Sequence, residues 1–114
     1  MAQTKEGRWV TASGQSTSSG LKLVTETLVG FYTPAALDAV KLKFQSSHDG
    51  QSFVDMVSEG GTLIVDVAVN QYVLLEATKL LGAAHVRVVH LDSGGSSVNE
   101  SAERVLRPVF RAFE

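Results

Sequence analysis

The chain contains no cysteine. That excludes disulfides, thiolate zinc sites and cysteine nucleophiles, and durability must come from packing or assembly. Charge of one sign is equally scarce. Ten Lys and Arg stand against twelve Asp and Glu, a formal net charge of −2. Nothing here is a basic footprint for nucleic acid, which needs clustered cations to neutralise phosphates. Apolar runs fall far short of the ~20 residues of a membrane-spanning helix. The opening residues, Met1 to Arg8, are polar and lack the apolar centre of a signal peptide. The expectation is a soluble chain made in the cytoplasm, with neither nucleic acid nor membrane as partner. Aromatics are few as well, 7% of residues with a single Trp.

What remains is an ordinary globular balance: 114 residues, 44% hydrophobic and 19% charged. This fits one domain large enough to fold around its own core. Residues 1–19, rich in Thr, Ser, Gly and Gln, read as an arm or a loosely held first strand; residues 1–12 are assigned to an N-terminal arm and residues 13–114 to the domain proper. On that reading, deletion of Met1 to Ala12 weakens attachment more than folding.

Period-two alternation then dominates. Leu21 and Leu23 alternate with Lys22 and Val24, and Thr27 to Tyr32 is dense in β-formers, ended by Pro34. Val40, Leu42 and Phe44 alternate with Lys41, Lys43 and Gln45, the pattern of a half-buried strand. Asp49-Gly50 supplies turn chemistry, and Phe53 to Val57 reads as the return strand. Glu59-Gly60-Gly61 is another turn. Further strands are expected over Leu63 to Val69, Gln71 to Leu75, Val86 to Leu91 and Glu103 to Phe110, with a Gly/Ser loop over Asp92 to Ser97. Short helical turns are expected at Ala35 to Ala39 and Glu76 to Leu81. The fold class is therefore all-β, an antiparallel β-sandwich or jelly roll of about seven or eight short strands with at most one or two helical turns.

The order of several segments is distinctive: Leu28-Val29-Gly30-Phe31-Tyr32-Thr33-Pro34-Ala35-Ala36, then Leu42-Lys43-Phe44-Gln45-Ser46-Ser47-His48-Asp49-Gly50, then Tyr72-Val73-Leu74-Leu75. Val88-Val89-His90-Leu91-Asp92-Ser93-Gly94 and Ser101-Ala102-Glu103-Arg104-Val105-Leu106 follow. Over roughly residues 10 to 111 this resembles a family of small structural proteins of tailed bacteriophages and prophages with a discoidin-like or jelly-roll sandwich. Lys79-Leu80-Leu81, His85 and Val88 depart from its pattern, and Pro108 places the last strand at an edge or against a bulge. The resemblance implies a virion role. The favoured form is a capsid decoration or cement protein, with the major capsid protein and copies of itself, as a homotrimer, for partners. The alternative is a carbohydrate-binding or host-attachment module on the tail, baseplate or capsid surface.

Residues for catalysis are hard to find. His85 and His90 are five apart on one strand and point to opposite faces, and His48 sits in a turn. No serine lies in a G-x-S-x-G elbow, although a spatial triad stays open because triads are recognised by geometry. The Gly-rich stretches do not open helices, so they are turns rather than phosphate cradles. The expectation is a protein without enzymatic activity, cofactor or metal. Candidate contact residues are Trp9, Arg107, Arg111 and Phe113. Trp9 either packs on its own domain or anchors the arm on a neighbour. Arg104, Arg107 and Arg111 form either a solvated strand face or an ion-pairing contact with an acidic capsid surface. For a sugar, Trp9, Tyr32 and Tyr72 are the plausible platforms.

Overall fold

The computed structural model describes residues 7–23, 26–58, 60–75 and 84–112. The chain is an all-β sandwich of antiparallel strands, with no helix among the described residues. The first sheet joins β1 (Trp9–Thr11), β11 (Arg104–Ala112), β3 (Glu26–Tyr32) and β9 (Tyr72–Leu74), in that spatial order. The second joins β2 (Leu21–Lys22), β10 (His85–Leu91), β4 (Lys41–Ser47) and β5 (Val54–Asp55), with β8 (Ile64–Asp66) also on β4. β6 (Val57–Ser58) and β7 (Gly61–Thr62) make a separate hairpin.

Alternation explains the core. Leu42 and Phe44 of β4, Val86 and Val88 of β10, and Leu106 and Phe110 of β11 face inward and are buried. Between the sheets Trp9, Phe31 and Phe44 pack edge to face, with ring centroids 5.8 to 6.3 Å apart. Such pairs add about 0.5–1.5 kcal/mol each beyond area burial. The Trp9 Nε1–H donates to the Val86 carbonyl at 3.0 Å, so the indole's one polar atom is satisfied across the sandwich.

Of the two readings of the opening segment, arm or first strand, the strand is what residues 9–11 form. Residues 9–11 pair with Leu106, Val105 and Arg104, and Trp9 is fully buried. Loss of Met1 to Ala12 would remove a core aromatic, so it would unfold the sandwich. Residues 13–19 also belong to the fold. Ser19 bonds both backbone groups of Val10, while Ser16 and Ser18 bond β10 at His90 and Val88. One irregular segment thus closes the β1 edge of one sheet and the β10 side of the other.

Two strands differ from simple alternation. In β3, Gly30 pairs with Val109 and Leu28 with Phe110, which leaves Val29 as an extra residue. That bulge lets both Phe31 and Leu28 face inward although three residues apart. Of the two readings of Pro108, edge or bulge, the second holds: it lies on an interior strand opposite Phe31, two residues beyond the end of β1 pairing at Leu106 and just before the register shift at Val109/Phe110. The segment from Val54 to Asp66 is shorter-stranded than its hydrophobicity predicts. β5 and β8 pair with β4 on either side of Phe44, and the β6–β7 hairpin is inserted between them. Met56 N–H bonds the Phe44 carbonyl, and Phe44 N–H bonds the Leu63 carbonyl. Just past β8, Val67 is buried and Val69 is exposed. Ala35 to Ala39 contains bends but no helical turn, and Glu76 to Leu81 lies outside the described residues.

Candidate functional site: a sealed polar centre and an open sheet face

At one end of the interior the inward positions turn polar. Thr11 of β1, Arg104 of β11 and His90 of β10 continue the rows begun by Trp9, Leu106 and Val88. Glu100, from the loop before β11, enters between them. Thr11 Oγ1 lies 2.8 Å from His90 Nε2, and His90 Nδ1 lies 2.8 Å from Glu100 Oε2. Glu100 also accepts from the Asp38 N–H at 2.8 Å, the Ala39 N–H at 2.9 Å and Arg104 Nε at 2.9 Å. Asp38 in turn accepts from the Ser101 N–H at 2.6 Å.

Hydroxyl, imidazole and carboxylate in this order reproduce the connectivity of a nucleophilic triad. Access decides what it can do. Thr11, His90 and Glu100 are each 0% exposed, so neither a substrate nor an attacking water reaches the hydroxyl. Burial holds the His90 pKa below its ordinary value, outweighing the carboxylate beside it. Burial alone would raise Glu100, but the Asp38 N–H, Arg104, the Ala39 N–H and His90 together hold it low. The set is a neutral histidine on a stabilised carboxylate, tying together the segments around residues 11, 38 and 100. It is a staple.

Elsewhere the polar groups serve turns. Asp49 accepts from the N–H groups of Gln51 and Ser52 and from the Ser47 hydroxyl, which hold its carboxyl low. Gly50 follows with φ of 79°. Among the described residues no group of three or more His, Cys, Asp or Glu is placed to hold a metal ion.

The outer faces of the two sheets differ. On the second sheet Lys41 pairs with Asp66 at 3.9 Å and Lys43 with Asp55 at 3.3 Å. Arg87 bonds Gln45 and lies 4.2 Å from the Phe53 ring centroid. Lys41, Lys43 and Arg87 thus each find a partner within the face. On the first sheet the cross-strand row Arg107–Tyr32–Tyr72 points outward, with Val109–Gly30–Leu74 as the next row. Tyr32 and Tyr72 pack at 4.7 Å with their rings tilted by 52°. Tyr72 crosses Gly30, where any side chain would strike its phenol. Leu74 is 79% exposed, the most open large apolar residue among those described. Arg107 and Arg111 are exposed and make no ion pair among the described residues.

The four sequence-level contact residues therefore separate. Trp9 is in the core, where it packs on its own domain; the contact role proposed for it does not fit a fully buried indole. Arg107 lies beside Tyr32, and Arg111 lies opposite Thr27 on the same outer face. Phe113 lies outside the described residues. Arg104, grouped with the other two by sequence, points inward to Glu100 and Asp38. Leu74 and Gly30 escaped notice as site residues, because alternation tells which residues share a face but not whether that face is covered. The chain matches no protein-family model, curated protein or solved structure, so nothing in these comparisons links it to phage virion proteins.

Proposed function

We propose that this chain is a non-catalytic contact domain that docks on other protein chains through the outer face of its first sheet. The observation that carries this reading is the set Tyr32, Tyr72, Leu74 and Arg107 on one face: exposed aromatic and apolar area beside an unpaired guanidinium. Tyr and Arg are the residues that most often anchor protein interfaces. The sealing of Thr11, His90 and Glu100 favours a scaffold role over catalysis.

The address proposed for this contact is a bacteriophage virion, with the chain as a capsid decoration protein on the major capsid protein. That part rests on the residue order described above. Two measurements test it in turn. The chain is expected in purified particles at many copies, and its absence there overturns the virion address. Heads stripped of the chain are expected to rebind it, and the double variant Tyr32→Ser with Arg107→Glu is expected to rebind at least tenfold more weakly. Equal rebinding overturns the docking face.

A second reading has one observation in its favour. Paired tyrosines on a sheet face with an arginine beside them also suit a sugar ring and its hydroxyls. The 52° tilt between the rings denies a sugar a single stacking plane, which is why this reading ranks second. Saturable binding on a glycan array, lost on Tyr72→Ala, would reverse the order.

A further inference from the structure

We infer that β9 is an acceptor edge: an extended segment of a partner polypeptide adds to it as a fifth strand of the first sheet. The inference rests on the contact reading above and deepens it, by naming what the partner presents.

Sheet edges are hazardous, because their free N–H and C=O groups template pairing with other chains, and proteins blunt them. Here the others are blunted. The outward groups of Val10 on β1 are taken by Ser19, at 3.1 Å and 2.9 Å. Residues 16–18 bond along β10 beyond β2, which is itself only two residues long. The outer strand of the second sheet is split into β5 and β8 by the β6–β7 hairpin. β9 has no such guard among the described residues. The Gln71 carbonyl accepts from Thr33 N–H at 2.8 Å, and Leu75 N–H bonds Val29 at 3.0 Å. Alternation then turns the N–H and C=O groups of Tyr72 and Leu74 away from β3. Neither residue has a hydrogen-bond partner on that side among the described residues.

These groups identify the class of occupant. Donors and acceptors alternating along an extended backbone are complemented by another extended backbone, in the strand-addition mode. The outward side chains of Tyr72 and Leu74 are 41% and 79% exposed, so the added segment carries apolar residues on that face. Behind them Arg107 and Arg111 are unpaired among the described residues, which calls for carboxylates on the body of the same partner. A second copy of this chain pairing edge to edge would widen the same face and leave its arginines unanswered. A foreign acidic partner satisfies both.

Proline and lysine at Leu74 test the inference. Leu74→Pro removes an N–H that points outward and leaves the Leu75 bond to β3 in place; Leu74→Lys guards the edge by charge without proline. The probe is a peptide of about ten residues in which valine alternates with threonine and glutamate, against one of the same composition with a central proline. The Tyr72 and Leu74 amides are expected to exchange rapidly in the free chain and to slow at least tenfold with the alternating peptide. Leu74→Pro and Leu74→Lys are each expected to weaken peptide binding at least tenfold at unchanged melting temperature. Amides already protected in the free chain, no binding at millimolar peptide, or full binding by both variants would overturn the inference. So would protection that rises with protein concentration alone and vanishes in Leu74→Pro, since the occupant is then a second copy. Rebinding to stripped heads separates the two levels. Normal rebinding by both Leu74 variants, with loss in Tyr32→Ser with Arg107→Glu, defeats the edge and spares the face. Normal rebinding by all three variants defeats both.

Discussion

Thr11, His90, Glu100 and Arg104 inside the sandwich, and Tyr32, Tyr72 and Arg107 outside it, are both concentrations of chemically able side chains. They differ in what satisfies them. Every carboxylate oxygen of Glu100 is answered by this chain's own donors, at 2.8 to 2.9 Å, within a site closed to solvent. Arg107 and the Tyr32–Tyr72 pair are answered by nothing among the described residues beyond each other's rings. The triad-like geometry is therefore stability, and the plainer set of two rings and a guanidinium is where another molecule can act. Connectivity without access says little about function.

The comparison breaks most visibly at Glu100. Glu100→Ala removes the acceptor of the Asp38 and Ala39 N–H groups, of the buried His90 and of Arg104 Nε, and is expected to cost about 3–5 kcal/mol in denaturant unfolding. Folded Glu100→Ala should still present the outer face, so its attachment per folded molecule is expected to be unchanged. Gly30→Ala attacks the other side. A Cβ there would meet the Tyr72 phenol and lie 2.7 Å from the Val73 carbonyl oxygen, so Tyr72 must move. A cost of about 1–3 kcal/mol is expected, together with lost attachment, and the polar centre is untouched.

Acid sharpens the same contrast. The folded His90 pKa lies below its ordinary 6.5, so on acidification the unfolded chain takes up that proton first. Its contribution is complete above pH 6.5 and is lost as pH falls through the folded pKa. Glu100, held below its ordinary 4.5, adds a second loss below that pH, in the same direction. Unfolding midpoints measured from pH 7 downward should therefore fall, and His90→Gln should remove the part that begins near 6.5. The smallest stability effect is expected at the open face. Tyr32→Ser with Arg107→Glu should stay within about 0.5 kcal/mol of the parent, because neither side chain is buried.

Some of this was legible before any coordinates. Val40, Leu42 and Phe44 alternating with Lys41, Lys43 and Gln45 marked β4, and Asp49-Gly50 marked its turn, because local chemistry fixes both. Tyr32 and Tyr72 were visible as aromatic residues on strands. The bulge at Val29 was not, since it shows only once β3 is paired with β11. Of the two readings of Trp9 the structure takes packing on its own domain; a polar neighbourhood in sequence could not choose, because it says nothing of a core assembled from residues 31, 44 and 86. Thr11, His90 and Glu100 carry no motif, and the first two stand 79 positions apart. Leu74 read as one more strand residue; its exposure depends on β9 being an edge, which is a matter of topology.

Hydroxyl-radical footprinting of the full chain, free and after incubation with stripped phage heads, tests the proposed docking face most directly. Oxidation at Tyr32, Tyr72 and Leu74 is expected to fall several-fold on assembly, while Phe53 and the exposed Val54 and Val57 across the sandwich keep their free-chain rates. Unchanged oxidation at the tyrosines and Leu74, with protection at Phe53, Val54 and Val57 instead, would contradict the account.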